Sequence, residues 1–215
     1  MKLIIIGVGA AAAELTHFVN HSNKYFKSKI KISGYLDLKS GKKEFLKKYD
    51  FSKKFLGNLE SHNFSKSIFY IVAINNIGIR KKIFYLLKLK KVKIANFIHP
   101  TAVIADSAKI GKGNIIYPYC LIGPNVKIAD FNFFNCNVAI GHDSNIYNNN
   151  IFSPNCCIAG SVKINMNNFF GLKSAVIPDR KIGKDNIIQA GMIIDKDISN
   201  GNVIFHRFKE KIILK

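Results

Sequence analysis

Acidic residues are scarce in this chain: 13 Asp and Glu face 33 Lys and Arg within 215 residues, a formal net charge of +20. Such an excess favours anionic partners, whether nucleic acid, a membrane surface or phosphorylated small molecules. The charge is almost wholly lysine, scattered among abundant Asn, Ile and Phe, and forms neither an arginine cluster nor a basic arm. That distribution argues against a nucleic-acid partner and leaves a phosphate-rich cofactor as the better use of the field. Cysteine is sparse too. Cys120, Cys136, Cys156 and Cys157 contain no C-x-x-C pair, which argues against zinc, and a reduced, cytoplasmic protein is the simplest expectation. No apolar run is long enough for an integral membrane segment. Met1-Lys2, the apolar run after it and Ala10 to Ala13 imitate a signal peptide, but the same residues make a better strand and turn.

What the chain does have is a six-residue rhythm. Stepping by six from Ile104 meets Ile110, Ile116, Ile122, Ile128, Phe134, Ile140, Ile146, Phe152, Ile158, Ile164, Phe170, Val176, Ile182, Ile188 and Ile194; the next stop, Asn200, is polar. Two residues before a stop the side chain is usually small or Asn-like (Ala102, Ala108, Asn114, Cys120, Val126, Asn132), and Gly or Ala often follows it. Six matches neither the helical period of 3.6 nor the strand period of 2. It predicts a parallel β-helix across 99–215, in which each step is one short strand and one turn, and three steps close a triangular coil. The bulky residues then form ladders inside the prism, with Cys120 and Cys156 acting as small inward hydrophobes.

Residues 1–98 read as a small α/β, Rossmann-like domain. Lys2 to Ile6 suits a buried parallel strand. It breaks into Gly7-Val8-Gly9-Ala10-Ala11-Ala12 and then a helical stretch through Val19, an order matching the G-x-G-x-x-G/A phosphate turn. A second strand is expected over Lys31 to Leu36, ending at Asp37, whose carboxylate suits ribose or sugar hydroxyls. Lys39 to Leu59 is expected to form a helix with flanking loops, Ile68 to Ile74 a strand, Ile77 to Lys91 a basic amphipathic helix and Lys93 to Ile98 a last strand.

With these features the chain resembles the hexapeptide acyltransferases. The resemblance extends to a narrower group, the sialic-acid-pathway O-acetyltransferases and the bacillosamine-pathway N-acetyltransferases of UDP-linked amino sugars. It rests on Gly7-Val8-Gly9, Tyr35-Leu36-Asp37, Ala73-Ile74-Asn75-Asn76, Ile79-Arg80-Lys81-Lys82, Ile98-His99-Pro100, Gly141-His142-Asp143 and Ala159-Gly160, in that order over nearly the whole length. It implies a left-handed β-helix, a homotrimer, acetyl-CoA as cosubstrate without a metal, and a role in surface glycan biosynthesis.

Acetyl transfer from a thioester needs a base for the nucleophile's proton and donors for the oxyanion. Of the six histidines only His142 stands inside the repeat, followed at once by Asp143. Similarity to the family's His-acid pair makes His142 the base and Asp143 the residue that orients it, directly or through a nearby main-chain group, while His99 before Pro100 reads as structural. The resemblance puts the acceptor's nucleotide on Gly7, Gly9, Ala10 and Ala11, with Asp37 and Asn76 reading uridine or ribose. It puts acetyl-CoA between subunits near Gly160, Leu172 and Ala190, with Lys173 and Lys184 toward its phosphates. In the bacillosamine group a second histidine faces the acetyl group nine residues after the base; Ile151 occupies that place here. The family commonly ends in Gly-x-Pro-Ala-Lys, where this chain has Val203-Ile204-Phe205-His206-Arg207-Phe208. Alternatives are O-acetylation of a sialic-acid-type sugar and a non-catalytic β-helix. A carbonic-anhydrase-like site needs three histidines on the coils, and an NAD-dependent oxidoreductase leaves the β-helix unemployed.

Overall fold

The computed structural model describes residues 1–38 and 43–206. A five-stranded parallel sheet opens the chain, built from β1 (Lys2–Ile6), β2 (Lys31–Asp37), β3 (Phe55–Asn58), β4 (Phe69–Val72) and β5 (Lys93–Ile94) in the order β3-β2-β1-β4-β5. Apolar β1 lies at its centre, with Leu3 to Ile6 at most 2 % exposed. Helices α1 (Ala10–Phe26), α2 (Lys43–Lys48) and α3 (Ile77–Leu89) connect the strands. Helix α1 ends where Lys27 turns left-handed at φ 56°, and α3 starts on Asn76, whose side chain accepts from the Ile79 N–H at 2.9 Å. The edge strand β3 was not legible in the lysine-rich stretch before it: it is four residues long and carries a left-handed Gly57 at φ 95°. Within that stretch 39–42 lie outside the described residues, as do Arg207 and Phe208 of the tail.

The strand expected over Lys93 to Ile98 is two strands. Lys93–Ile94 completes the first sheet, whereas Phe97–Ile98 pairs with Ile115–Ile116 and begins the prism. From there two-residue strands recur every six residues, the predicted bulky residue always second and turned inward. Each pairs with the strand one coil away, as Ile122 does with Ile104 and Ile140. Three stacked parallel sheets result, an arrangement that fits a left-handed β-helix. Most turns hold one left-handed residue, and Asn125, Asn137, Asp143, Asn149, Asn155, Asn167, Asp179 and Asp185 supply most of these at φ 58° to 63°; Asn and Asp tolerate that region better than other non-glycine residues.

Inside the prism two ladders add to hydrophobic burial. Phe134, Phe152 and Phe170 stack at centroid spacings of 4.9 and 4.7 Å. Along one edge the Oδ1 atoms of Asn96, Asn114, Asn132, Asn150, Asn168 and Asn186 each accept the backbone N–H of the Asn one coil on, at 2.8–2.9 Å. Cys120 and Cys156 are buried in the core, and burial pushes the Cys120 thiol up to about 12, so it behaves as a small apolar group. The final coil is two residues shorter, pairing Ile198 with Ile182 and Val203 with Ile187, which is why the rhythm fails at Asn200.

The three faces of the prism differ in their outward residues. The Phe133 face presents Phe97, Ile115, Phe133 and Ile151, which pack with Val8, Ala12, Leu15 and Val19 of the first domain. The Lys127 face presents Lys109, Lys127, Asn145, Lys163 and Lys181. The Leu121 face is apolar yet bare, with Val103 64 %, Leu121 52 % and Ile193 65 % exposed. Among the described residues no helix is long and apolar enough to cross a membrane.

Candidate active site

His142 stands on the prism edge between the Leu121 and Lys127 faces, in the turn linking Ala139–Ile140 to Asn145–Ile146. Successive coils stack this turn by backbone bonds: Asp143 N–H donates to Pro124 O at 2.9 Å and Ser161 N–H to His142 O at 2.8 Å. Close stacking needs small residues, since a Cβ on Gly141 would lie 2.6 Å from Gly160 N. The left-handed turn at Asp143, φ 58°, swings its carboxylate back onto the preceding imidazole, and Oδ2 sits 2.8 Å from His142 Nδ1. Its other oxygen, Oδ1, accepts from Asn125 Nδ2 at 3.0 Å. The hydrogen bonds from His142 and then Asn125 hold the Asp143 carboxyl below its ordinary value. An ionised carboxylate only accepts, so Nδ1 of His142 carries the proton and Nε2 presents its lone pair.

The Nε2 edge of the ring lies over a glycine of the next coil. A Cβ on Gly160 would come within 2.6 Å of Nε2 and 2.7 Å of Cε1. The imidazole is therefore held at Nδ1, its Nε2 makes no side-chain hydrogen bond among the described residues and the side chain is 63 % exposed, an arrangement suited to removing a proton from an incoming nucleophile. Asn125 escaped the sequence reading; its signal was its place one coil, 18 residues, before Asp143.

A cleft opens beside the five-stranded sheet. Gly7, Gly9, Ala10, Ala11 and Asp37 line this cleft of about 350 Å³ together with Ala73, Ile74 and Asn75. Gly7 has no substitute there: its φ is +119° and a Cβ would meet Ala73 O at 2.5 Å. Ala12 and Ala13 N–H both bond to Gly9 O, and Ala10 and Ala11, the first residues of α1, line the cleft. Asn76 does not line this cleft. Its side chain is committed to capping α3, and Asn75 takes the expected place.

The residues expected to meet acetyl-CoA are not gathered in one chain. Gly160 lies beside His142, but Leu172, Lys173 and Ala190 sit on the next edge, between the Phe133 and Leu121 faces, where Gly191 N–H donates to Leu172 O at 2.8 Å. Lys184 falls on the edge between the Lys127 and Phe133 faces, its N–H bonded to Asn200 Oδ1 at 2.8 Å. Ile151 corrects its expectation: it is 3 % exposed and packed beneath the first domain, so it serves as a docking contact and does not face a cosubstrate in this chain. His99 is buried between the domains. Thr101 N–H donates to its Nδ1 at 3.2 Å, so Nε2–H donates to His21 Nδ1 at 3.1 Å. Among the described residues no group of three or more His, Cys, Asp or Glu could hold a metal ion.

No family model matches the chain. Solved structures do. The acetyltransferase domain of PglB from Neisseria gonorrhoeae superposes with a TM-score of 0.79 at 22 % identity, covering 94 % of this chain and 95 % of that one. PerB from Caulobacter crescentus, solved with CoA and GDP-perosamine, gives 0.76 at 22 % identity over 94 % of this chain and 93 % of its own. WeeI from Acinetobacter baumannii gives 0.77 at 20 % identity over 94 % and 96 %. What they share is the fold. In sequence, the acyl-[acyl-carrier-protein]–UDP-N-acetylglucosamine O-acyltransferases of Rickettsia typhi and Rickettsia prowazekii are each 54 % identical over 33 residues, 15 % of this chain. The match spans only 12 % of the length of those relatives.

Proposed function

We propose that this protein is an acetyl-CoA-dependent N-acetyltransferase acting on a nucleotide-linked amino sugar in surface glycan biosynthesis. The observation that carries the reading is the His142–Asp143 pair, an exposed imidazole bonded at Nδ1 to a carboxylate with its Nε2 over Gly160. The likeness in fold to PglB, PerB and WeeI supports it, and the PerB complex pairs CoA with a nucleotide-linked sugar.

In the reaction the acceptor's amine attacks the thioester carbonyl. A C–N bond forms, the C–S bond breaks, His142 Nε2 takes the amine's proton and passes it to the departing thiolate, and CoA leaves as the free thiol. Asp143 keeps the imidazole in the tautomer that accepts and stabilises the imidazolium while it exists, and Asn125 steadies Asp143.

The first domain is the acceptor's seat, a Rossmann-like unit with its nucleotide on Gly7, Gly9, Ala10 and Ala11 and a sugar or ribose hydroxyl on Asp37. That cleft is borne by the Phe133 face, across the prism from the His142 edge, so one chain alone does not hold a complete site. A homotrimer resolves both this separation and the bare Leu121 face. That face lies between the edge bearing His142 and Gly160 and the edge bearing Leu172 and Ala190, so packing it against a neighbour brings unlike edges together around acetyl-CoA. UDP is the nucleotide implied by the sequence resemblance, and GDP is the one in the PerB complex.

The test is incubation with acetyl-CoA and a panel of UDP- and GDP-linked amino sugars, with mass spectrometry of the products. The expected product carries an acetyl group on nitrogen. Activity confined to a free sialic acid would select O-acetylation, and silence across the panel would select a non-catalytic β-helix.

A further inference from the structure

We propose that Arg80 is the buried counter-charge for the phosphates of the nucleotide in the glycine-turn cleft, acting through the cleft wall without touching the ligand. The inference rests on the nucleotide reading above and adds to it a positioning and specificity residue outside the cleft lining.

Arg80 is 0 % exposed, at the junction of the two domains. Its Nη1 donates to Val72 O at 3.2 Å and Ile74 O at 3.0 Å, its Nη2 to Phe131 O at 2.7 Å and its Nε to Asn149 Oδ1 at 3.3 Å. Every acceptor is neutral, and among the described residues no carboxylate forms an ion pair with the guanidinium. A hydrogen-bond chain runs from Asn149 through Asn167 to Asp185 Oδ1. Burial lowers the guanidinium only to about 10, so it stays charged at neutral pH.

A desolvated cation bonded only to neutral groups is costly compared with a neutral side chain of similar size. The cleft explains its retention. Ile74, whose carbonyl Arg80 holds, and Ile79, its neighbour on α3, both line the cleft. Among the described residues that lining carries no Lys or Arg, and its one charged side chain is the acidic Asp37. A diphosphate beside Asp37 needs a positive field. The N-termini of α1 and α3 supply partial charges, and Arg80 adds a whole one in a poorly screened setting. Because Phe131 and Asn149 belong to the prism, the same side chain also fixes the cleft wall to the β-helix.

The experiment measures binding of uridine, UDP, guanosine and GDP by calorimetry to the full-length wild type, Arg80→Met and Arg80→Lys. In the wild type the diphosphate of the correct base binds tighter than its nucleoside. Arg80→Met loses about tenfold, or about 1.4 kcal/mol, for the diphosphate and leaves the nucleoside within about twofold. Arg80→Lys keeps most of the preference, and in turnover Arg80→Met raises KM for the nucleotide sugar with KM for acetyl-CoA unchanged. Wild-type diphosphate affinity changes less than about threefold between roughly 50 mM and 500 mM salt, because a buried charge is poorly screened. A steep loss with salt assigns the phosphates to surface lysines and overturns the proposal, even if Arg80→Met fails to fold. Equal loss of nucleoside and diphosphate in Arg80→Met, or loss of neither, also overturns it. A wild type that binds no nucleoside or nucleotide removes the nucleotide reading itself, and the proposal with it.

Discussion

His142 and Gly160, one coil apart, are fitted so closely that the smallest side chain on the glycine would intrude on the imidazole: a Cβ there would stand 2.6 Å from Nε2. Gly160 has no left-handed φ to protect, so Ala at this position costs little in backbone conformation and acts on the ring above. Gly160→Ala should therefore leave thermal stability nearly unchanged and lower kcat by about 10²-fold, the scale expected when a catalytic group is displaced by about 1 Å. Unchanged turnover would mean that the ring moves aside without consequence.

The Asp143 carboxylate and Asn125 form the next shell of support, and removing each tests a different property. Asp143→Asn lets an amide face Nδ1 and allows the other tautomer, so kcat should fall by at least about tenfold. Asn125→Ala removes one of the hydrogen bonds that hold the Asp143 carboxyl down, and its effect should be smaller and in the same direction. A pH–rate series on all three proteins separates loss of the base from loss of its orientation.

The Asn ladder makes a stability prediction independent of function. Asn150 accepts the Asn168 N–H at 2.8 Å and donates to Tyr147 O at 3.0 Å, all within a buried edge. Asn150→Ala strands that buried N–H and should cost about 1–3 kcal/mol, seen as a lower Tm by circular dichroism. The ladder was partly legible beforehand. Asn114 and Asn132 were visible as the small or Asn-type members of the repeat, but nothing along the sequence said that their amides bond the backbone one coil on, because that geometry exists only once the coils close.

Other elements divide the same way between legible and hidden. The prism could be read because one bulky residue in six must face inward at every turn, and the chain obeys from Ile104 to Ile194. The His142–Asp143 pair was singled out through the family resemblance, and its direct 2.8 Å contact is a finding of the structure. Arg80, Asn125 and the burial of Ile151 were hidden because their partners lie a coil or a domain away. Asn76 misled because an Asn at a strand end reads equally as ligand or cap, and α3 claims it as a cap.

The junction of the two domains should respond to pH. His99 has its imidazole value lowered by burial and then by His21, from an ordinary 6.5. The folded state thus resists a proton that the unfolded chain accepts, so stability is full above pH 6.5 and declines as pH falls below it. Protonation also turns Nδ1 of His99 into a donor facing the Thr101 N–H. Tm should drop between pH 7.5 and about pH 5.5, and a His99→Asn variant, less stable overall, should lose part of that slope. An identical slope in both proteins would assign the effect elsewhere, His62 being shifted the same way by burial.

The bare Leu121 face predicts association. Leu121, 52 % exposed in the isolated chain, should be buried in the assembly. Leu121→Glu should shift the protein from trimer to monomer in sedimentation analysis and abolish turnover, with the β-sheet signal intact. A wild type that sediments as a monomer and still turns over would contradict the shared site.

The most direct measurement is thiol release from acetyl-CoA in the presence of a nucleotide-linked amino sugar, comparing wild type with His142→Ala. Turnover should fall by about 10²–10⁴-fold in the variant, with acetyl-CoA binding and Tm retained because the side chain is exposed on an edge. A His142→Ala protein that releases thiol at the wild-type rate would contradict the account.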